Sequence, residues 1–173
     1  MAPEQIEGTE VGPYTDVFAA GLVMWESLVG RRPIQGGTEV ERMYKIVRGE
    51  IPATVVLQDE LTLAFMDIGS VNPGHMLVAA KPHVENLQGM DAELAGAMFR
   101  SAARAARAIE AVFRPAGISV YQANGAAAGQ TVFHAHIHVL PRWENDGLTF
   151  TWPVKHPSRE ELERVAAQLR AAL

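Results

Sequence analysis

The chain has 173 residues, six histidines, no cysteine and a formal net charge of −5, and 48% of it is hydrophobic. That length and composition hold one full domain with an appendage around a real core. The acidic balance argues against a nucleic-acid partner, the missing cysteines exclude disulfides, thiol catalysis and thiolate zinc sites, and no apolar stretch reaches the about 20 residues that span a bilayer.

In chain order, residues 17–29 read as a helix, with Thr15 or Asp16 as its cap, Gly30 as its stop and Pro33 beyond. Val17, Phe18, Leu22, Val23, Met24, Trp25 and Leu28 make it apolar on nearly all sides, as in helices that lie inside a larger protein. Gly36-Gly37 reads as a linker, which sets the expected division: an N-terminal extension over 1–38 and a compact domain over 39–173. Residues 40–47 have helical spacing and end near Gly49 and Pro52. Residues 55–58 and 61–67 read as strands joined by Asp59-Glu60. The turn Asn72-Pro73-Gly74 leads to a third strand over 75–80. Asp91 caps an alanine-rich helix to about residue 113, ended by Pro115 and Gly117. A fourth strand over 118–123 and a loop of small residues over 124–129 return the chain to a fifth strand. Ser158 and Glu161 form a capping box for a last helix over 158–173. The fold class expected is α+β: an antiparallel sheet of about five strands with a long helix packed on it and a C-terminal helix. The N-terminus is acidic, without the basic start of a signal peptide, so the expected location is the cytoplasm.

The fifth strand carries the chemistry. In Val132-Phe133-His134-Ala135-His136-Ile137-His138-Val139-Leu140 three of the six histidines alternate with apolar residues. Alternation is the strand period, so one face carries three imidazoles and the other enters the core. Side chains two apart stand roughly 7 Å from each other. One imidazole is then placed to attack a phosphorus while its neighbours contact phosphate oxygens. Taken alone, the pattern also fits hydrogen-bonding histidines in an ordinary strand, or a His-x-His metal site completed by His138 or His75.

His134-Ala135-His136-Ile137-His138-Val139-Leu140 resembles the signature of the histidine triad (HIT) superfamily, and the resemblance runs in order from about residue 43 to 143. It includes Lys45-Ile46-Val47-Arg48-Gly49-Glu50-Ile51-Pro52-Ala53, Ala64-Phe65-Met66-Asp67-Ile68, Asn72-Pro73-Gly74-His75, Lys81-Pro82-His83, Gln122-Ala123-Asn124-Gly125, Gly129-Gln130-Thr131-Val132 and Pro141-Arg142. The resemblance implies a HIT-like fold and a nucleotide hydrolase or transferase, usually a homodimer, acting at the α-phosphate through a nucleotidyl-histidine. By position His136 is the nucleophile, with His134 and His138 flanking the phosphate. Asp67 holds the ribose, Phe65 and Ile68 line the base pocket, Gln130 and Thr131 meet phosphate or leaving group, and His75 supports the triad from behind. Asn124 stands beside Ala123, where the family usually has an amide; either Asn124 compensates for it or activity is reduced. The substrates implied are adenosine phosphoramidates or dinucleoside polyphosphates. The alternatives are nucleotidyl transfer to phosphate and a nucleotide-binding regulatory protein with little turnover.

An imidazole attacks when it is neutral, and histidine is largely neutral near pH 7. A covalent intermediate splits one hard substitution into two easier ones. This route requires no cofactor; magnesium enters only with the substrate. Many bacterial relatives carry Cys-x-x-Cys before the Lys-Ile pair and use it, with the histidines matching His83 and His134, to hold a structural zinc. Here Glu41 and Tyr44 stand at those positions, so no structural zinc is expected. Residues 2–34 resemble something else. Ala2-Pro3-Glu4, Thr15-Asp16-Val17-Phe18-Ala19-Ala20-Gly21, Glu26 and Gly30 are similar to a piece of a protein kinase. The chain lacks the kinase glycine loop, ATP lysine, catalytic loop and Asp-Phe-Gly, so kinase chemistry is not expected.

Overall fold

The computed structural model describes residues 38–173. The expected apolar helix over 17–29 and the kinase-like segment lie outside the described residues. The chain divides into two compact units, one ending at Arg142 and the other being Trp143–Leu173.

The first unit opens with helix α1, Glu39–Val47, closed at its start by a reciprocal capping box between Thr38 and Glu41. Strands β1 (Val55–Gln58), β2 (Thr62–Met66) and β3 (Met76–Ala80) follow. Helix α2, Ala92–Phe113, is capped by the Asp91 carboxylate on the Leu94 amide, and Arg114 ends it in the left-handed conformation before Pro115. Strands β4 (Gly117–Tyr121) and β5 (His136–Arg142) complete a five-stranded sheet in the order β1-β2-β3-β5-β4. Every neighbouring pair is antiparallel.

Alternation along the strands sorts their side chains between two layers. Met76, Val78, Ala80, Ile137 and Val139 face Leu94, Met98, Ala102, Ala105 and Ile109 of α2. Those helix positions recur every three or four residues, which is the stripe α2 must bury. Leu63, Phe65, Leu77 and Ala79 point the other way, against Met43 of α1. All five residues of β3 are therefore buried. The hairpin between β1 and β2 is tied to α2 through polar atoms. Asp59 accepts from the Leu61 and Thr62 amides, and the buried hydroxyls of Thr62 and Ser101 lie 2.7 Å apart.

The histidine strand is shorter at its start and longer at its end than the sequence pattern predicts. It begins at His136, so His134 precedes it. The sheet partner runs out here: β3 ends at Ala80, and the Ala135 amide bonds to the Val84 carbonyl instead of continuing the ladder.

In the second unit, helix α3 (Arg159–Ala172) is capped by the Ser158 hydroxyl on the Glu161 amide. Among the described residues no helix is long and apolar enough to cross a membrane.

Candidate active site

Register across the sheet sets one row of side chains on the face away from α2. Phe65 pairs with Leu77, Leu77 with His138, and His138 with Tyr121. In the next row Ala79 pairs with His136. His136 and His138 are thus neighbours on one face, their ring centroids 5.1 Å apart.

The backbone fixes which nitrogen of His136 is free. Its Nδ1 lies 2.7 Å from the His134 carbonyl oxygen. A carbonyl only accepts, so Nδ1 carries the proton and Nε2 keeps the lone pair. The alternating pattern makes this local: a residue two positions ahead supplies the acceptor.

His138 is set from behind. The Val71 amide donates to His75 Nδ1 at 3.4 Å, which leaves the His75 proton on Nε2. That Nε2–H donates to His138 Nδ1 at 2.9 Å. His138 is then protonated on Nε2. Asp67 lies beside the pair, its Oδ2 3.5 Å from His75 Nε2 and 4.0 Å from His138 Nδ1. Burial, with His136 and His75 close by, lowers the His138 pKa to about 4, and the Asp67 carboxylate opposes the shift. His75 moves the same way, chiefly from burial, with Asp67 again opposing. Both rings are neutral at pH 7, as a hydrogen-bond relay requires.

Asp67, His75 and His138 also form the one group among the described residues whose donor atoms converge closely enough to suggest a metal ion. The Val71 amide argues otherwise. It holds the His75 proton on the nitrogen that would have to ligate, so the arrangement reads as a relay.

His134 is corrected. It was expected to flank the phosphate, but its side chain is fully buried. Its Nε2–H donates to the Ala80 carbonyl at 2.7 Å, and its Nδ1 faces His83 Nδ1 at 3.3 Å. Burial first, then the neighbouring His83 and His136, lower its pKa, against the opposing Ala80 bond. Its contribution to the site is its backbone carbonyl.

The remaining expected residues divide between the site and its frame. Asp67 is close to the histidines, and its Oδ1 accepts from the Gly69 amide at 2.8 Å. Ile68 is fully exposed beside it, whereas Phe65 is buried in the layer under α1. Gln130 is buried, its Oε1 accepting from the Gly125 amide and its Nε2 donating to the Glu85 and Val132 carbonyls. Asn124 accepts from the Leu87 amide at 2.7 Å and exchanges bonds with Gln122. Both amides brace the loop leading into the triad. Thr131 is exposed on that loop. Sequence reading did not single out Asn72 as a brace, yet its amide donates to the Pro141 carbonyl at 2.9 Å and ties the turn before His75 to the end of β5. It also passed over Val71 and Tyr121. Only the register places Tyr121 opposite His138, and no sequence signal identifies a backbone amide as the group that sets a tautomer.

A family model described as HIT domain matches residues 48–145. Protein hit of Bacillus subtilis is 39% identical over 132 residues, which are 75% of this chain and 91% of that protein. Adenylylsulfatase HINT3 of Arabidopsis thaliana is 33% identical over 125 residues, 72% of this chain and 63% of that protein. Adenosine 5'-monophosphoramidase hnt1 of Schizosaccharomyces pombe is 31% identical over 130 residues, 75% of this chain and 95% of that protein. Among solved structures, a HIT family protein from Bacillus anthracis superposes with a TM-score of 0.73 at 37% identity, covering 76% of this chain and 95% of that one. A Zn-bound histidine triad family protein from Mycobacterium smegmatis gives a TM-score of 0.59 at 36% identity, over 76% of this chain and 96% of that one.

Proposed function

The chain belongs to the HIT domain family, and from that premise we propose that it is a nucleotide hydrolase acting through a nucleotidyl-histidine on His136. The substrates proposed are adenosine phosphoramidates or dinucleoside polyphosphates. The observation that carries this reading is the bond from His136 Nδ1–H to the His134 carbonyl, which leaves Nε2 as the nucleophile. The names of two relatives, an adenylylsulfatase and an adenosine 5'-monophosphoramidase, favour adenosine 5'-phosphates as the class.

In this reading His136 Nε2 attacks the α-phosphorus and forms a P–N bond as the bond to the leaving group breaks. His138 Nε2–H donates a hydrogen bond to the phosphate oxygens as charge develops on them, and the leaving amine or phosphate takes its proton from solvent. Water then attacks the same phosphorus and releases its proton to solvent, the P–N bond to His136 breaks, and the nucleoside monophosphate departs. Donors held in place before the reaction are worth most in the transition state, and the Val71–His75–His138 chain holds this one. Asp67, with Ile68 beside it, is the proposed ribose contact. No cofactor is needed for these steps.

The protein is also proposed to be a homodimer. Strand β4 is an edge of the sheet, and an edge offers unpaired backbone groups to a second copy. Val120 on β4 and Phe99 and Val112 on α2 are exposed apolar residues that an interface would cover. Light scattering should give twice the chain mass, and Val112→Glu with Val120→Lys should return the monomer; a wild-type monomer refutes the interface.

The activity test is nucleoside monophosphate release from adenosine 5'-phosphoramidate and diadenosine polyphosphates, in chelator, for wild type and His136→Ala. Turnover lost in the variant supports the reading. Nucleotide binding without turnover in wild type refutes it and favours a regulatory protein. Product formed only when phosphate is added favours nucleotidyl transfer.

A further inference from the structure

Behind the nucleophile lies a cluster that these steps do not use. The imidazoles of His83 and His134 face each other with their ring centroids 5.4 Å apart. The Tyr44 ring, on α1, lies 5.0 Å from His83 and stands edge-on to His134 at 5.6 Å. The Arg48 guanidinium covers the Tyr44 ring at 5.1 Å.

The resemblance to bacterial HIT proteins implies a structural zinc at this place, held by these two histidines and a cysteine pair at positions 41 and 44. The Nδ1 atoms of His83 and His134 are 3.3 Å apart. That is about the edge of a tetrahedral sphere with Zn–N bonds of about 2.0–2.1 Å. Half of such a site is therefore present. The other half is not. The Glu41 carboxylate is committed to the Thr38 amide at 2.9 Å, and Tyr44 presents a ring packed on both imidazoles. A proton also stands between the two nitrogens: His134 spends its own on Ala80, so His83 Nδ1–H donates to His134 Nδ1. The residues present do not fit a closed four-ligand zinc site.

We infer that Tyr44 is a positioning residue that does here, by packing, what the metal does elsewhere: it clamps α1 onto the His83–His134 pair and so fixes the tautomer of His136. The contacts run without a gap. Tyr44 packs on the His134 ring, that ring donates to Ala80 at the end of β3, and the His134 carbonyl receives the His136 Nδ1–H. If His134 shifts, the last bond weakens and the proton gains access to Nε2, where it blocks attack. The effect on turnover rests on His136 being the nucleophile, as proposed above; the effect on the tautomer does not.

The test reads the tautomer directly, from imidazole ¹⁵N chemical shifts of labelled protein, alongside kcat and KM for adenosine 5'-phosphoramidate. Wild type and Tyr44→Phe should both show His136 protonated on Nδ1, since the ring suffices. Tyr44→Ala should show a mixture of tautomers and a kcat lowered about tenfold, with KM within about twofold. The double variant Glu41→Cys, Tyr44→Cys, loaded with zinc chloride, should bind one zinc per chain by metal analysis and recover the Nδ1–H tautomer, and chelator should reverse both. The inference falls if a folded Tyr44→Ala keeps the wild-type tautomer, if purified wild type carries one zinc per chain, or if the double variant takes no zinc. Should Tyr44→Ala not fold, the double variant decides. Tautomers that follow this pattern in a protein without turnover would refute the proposed hydrolase and leave the clamp standing.

Discussion

Acidifying the protein from pH 7 to 4.5 should destabilise it, and His138 sets much of the size. In an unfolded chain this imidazole titrates near its ordinary 6.5; in the fold, burial and two neighbouring histidines hold it at about 4. The folded form refuses a proton that the unfolded form accepts. Stability is therefore whole above pH 6.5 and falls as the pH drops from there towards 4. A tenfold difference in proton affinity is about 1.4 kcal/mol, so His138 accounts for up to about 3 kcal/mol across that window. Its side chain is 27% exposed, which trims the figure without removing it. His75 and His134 push in the same direction, both chiefly through burial. Asp59 acts elsewhere. Burial pushes its carboxyl up, but the hydrogen bonds from Thr62, Leu61 and Ser101 outweigh this and hold it below its ordinary 3.8, so its loss comes only at lower pH. For a chain of this size about 3 kcal/mol moves Tm by about 6–12 °C. Thermal melts of wild type and His138→Gln at pH 7 and 4.5 isolate the effect: the variant should lose visibly less than wild type. Equal losses in the two proteins, or a wild-type Tm that does not move, would refute the placement of a neutral, desolvated ring at His138.

Other perturbations test the frame around the site. Gln130→Leu leaves the Gly125 amide and the Glu85 and Val132 carbonyls without their side-chain partner, so urea unfolding should register a loss of about 2–4 kcal/mol; unchanged stability with a raised KM would make Gln130 a phosphate contact instead. Gly74→Ala sets a Cβ 2.7 Å from the Phe113 ring at a φ of +93°, and should cost about 2 kcal/mol by the same measurement. His75→Leu removes the donor to His138 Nδ1; single-turnover kinetics should show the first step slowed about tenfold, the value of one such bond, and an unaltered rate would dismiss the relay.

The local pattern was enough to place most elements. The helical spacing over 40–47, the Asp91 cap, the turn at 72–74 and the alternation after residue 134 each rest on neighbours along the chain, and each element formed within a few residues of its expected bounds. The same alternation put His136 and His138 on one face, because residues two apart on a strand must share it. It could not place His134. Whether a strand begins at that residue depends on where its partner ends, and β3 ends at Ala80, a residue 54 positions away along the chain. The tautomer of His138 likewise follows from His75, 63 positions away, which only the sheet brings to it, whereas that of His75 is set by the Val71 amide four residues before it. Gln130 and Asn124 looked like ligand contacts because amides suit phosphates; the fold had backbone groups to satisfy in the loop, and a buried unpaired amide or carbonyl is too costly to leave. Sequence by itself therefore determined the chemistry carried on one strand. The tertiary structure decided which nitrogen of His138 is free to act and that the His134 ring is buried, because both depend on hydrogen-bond partners distant in the chain.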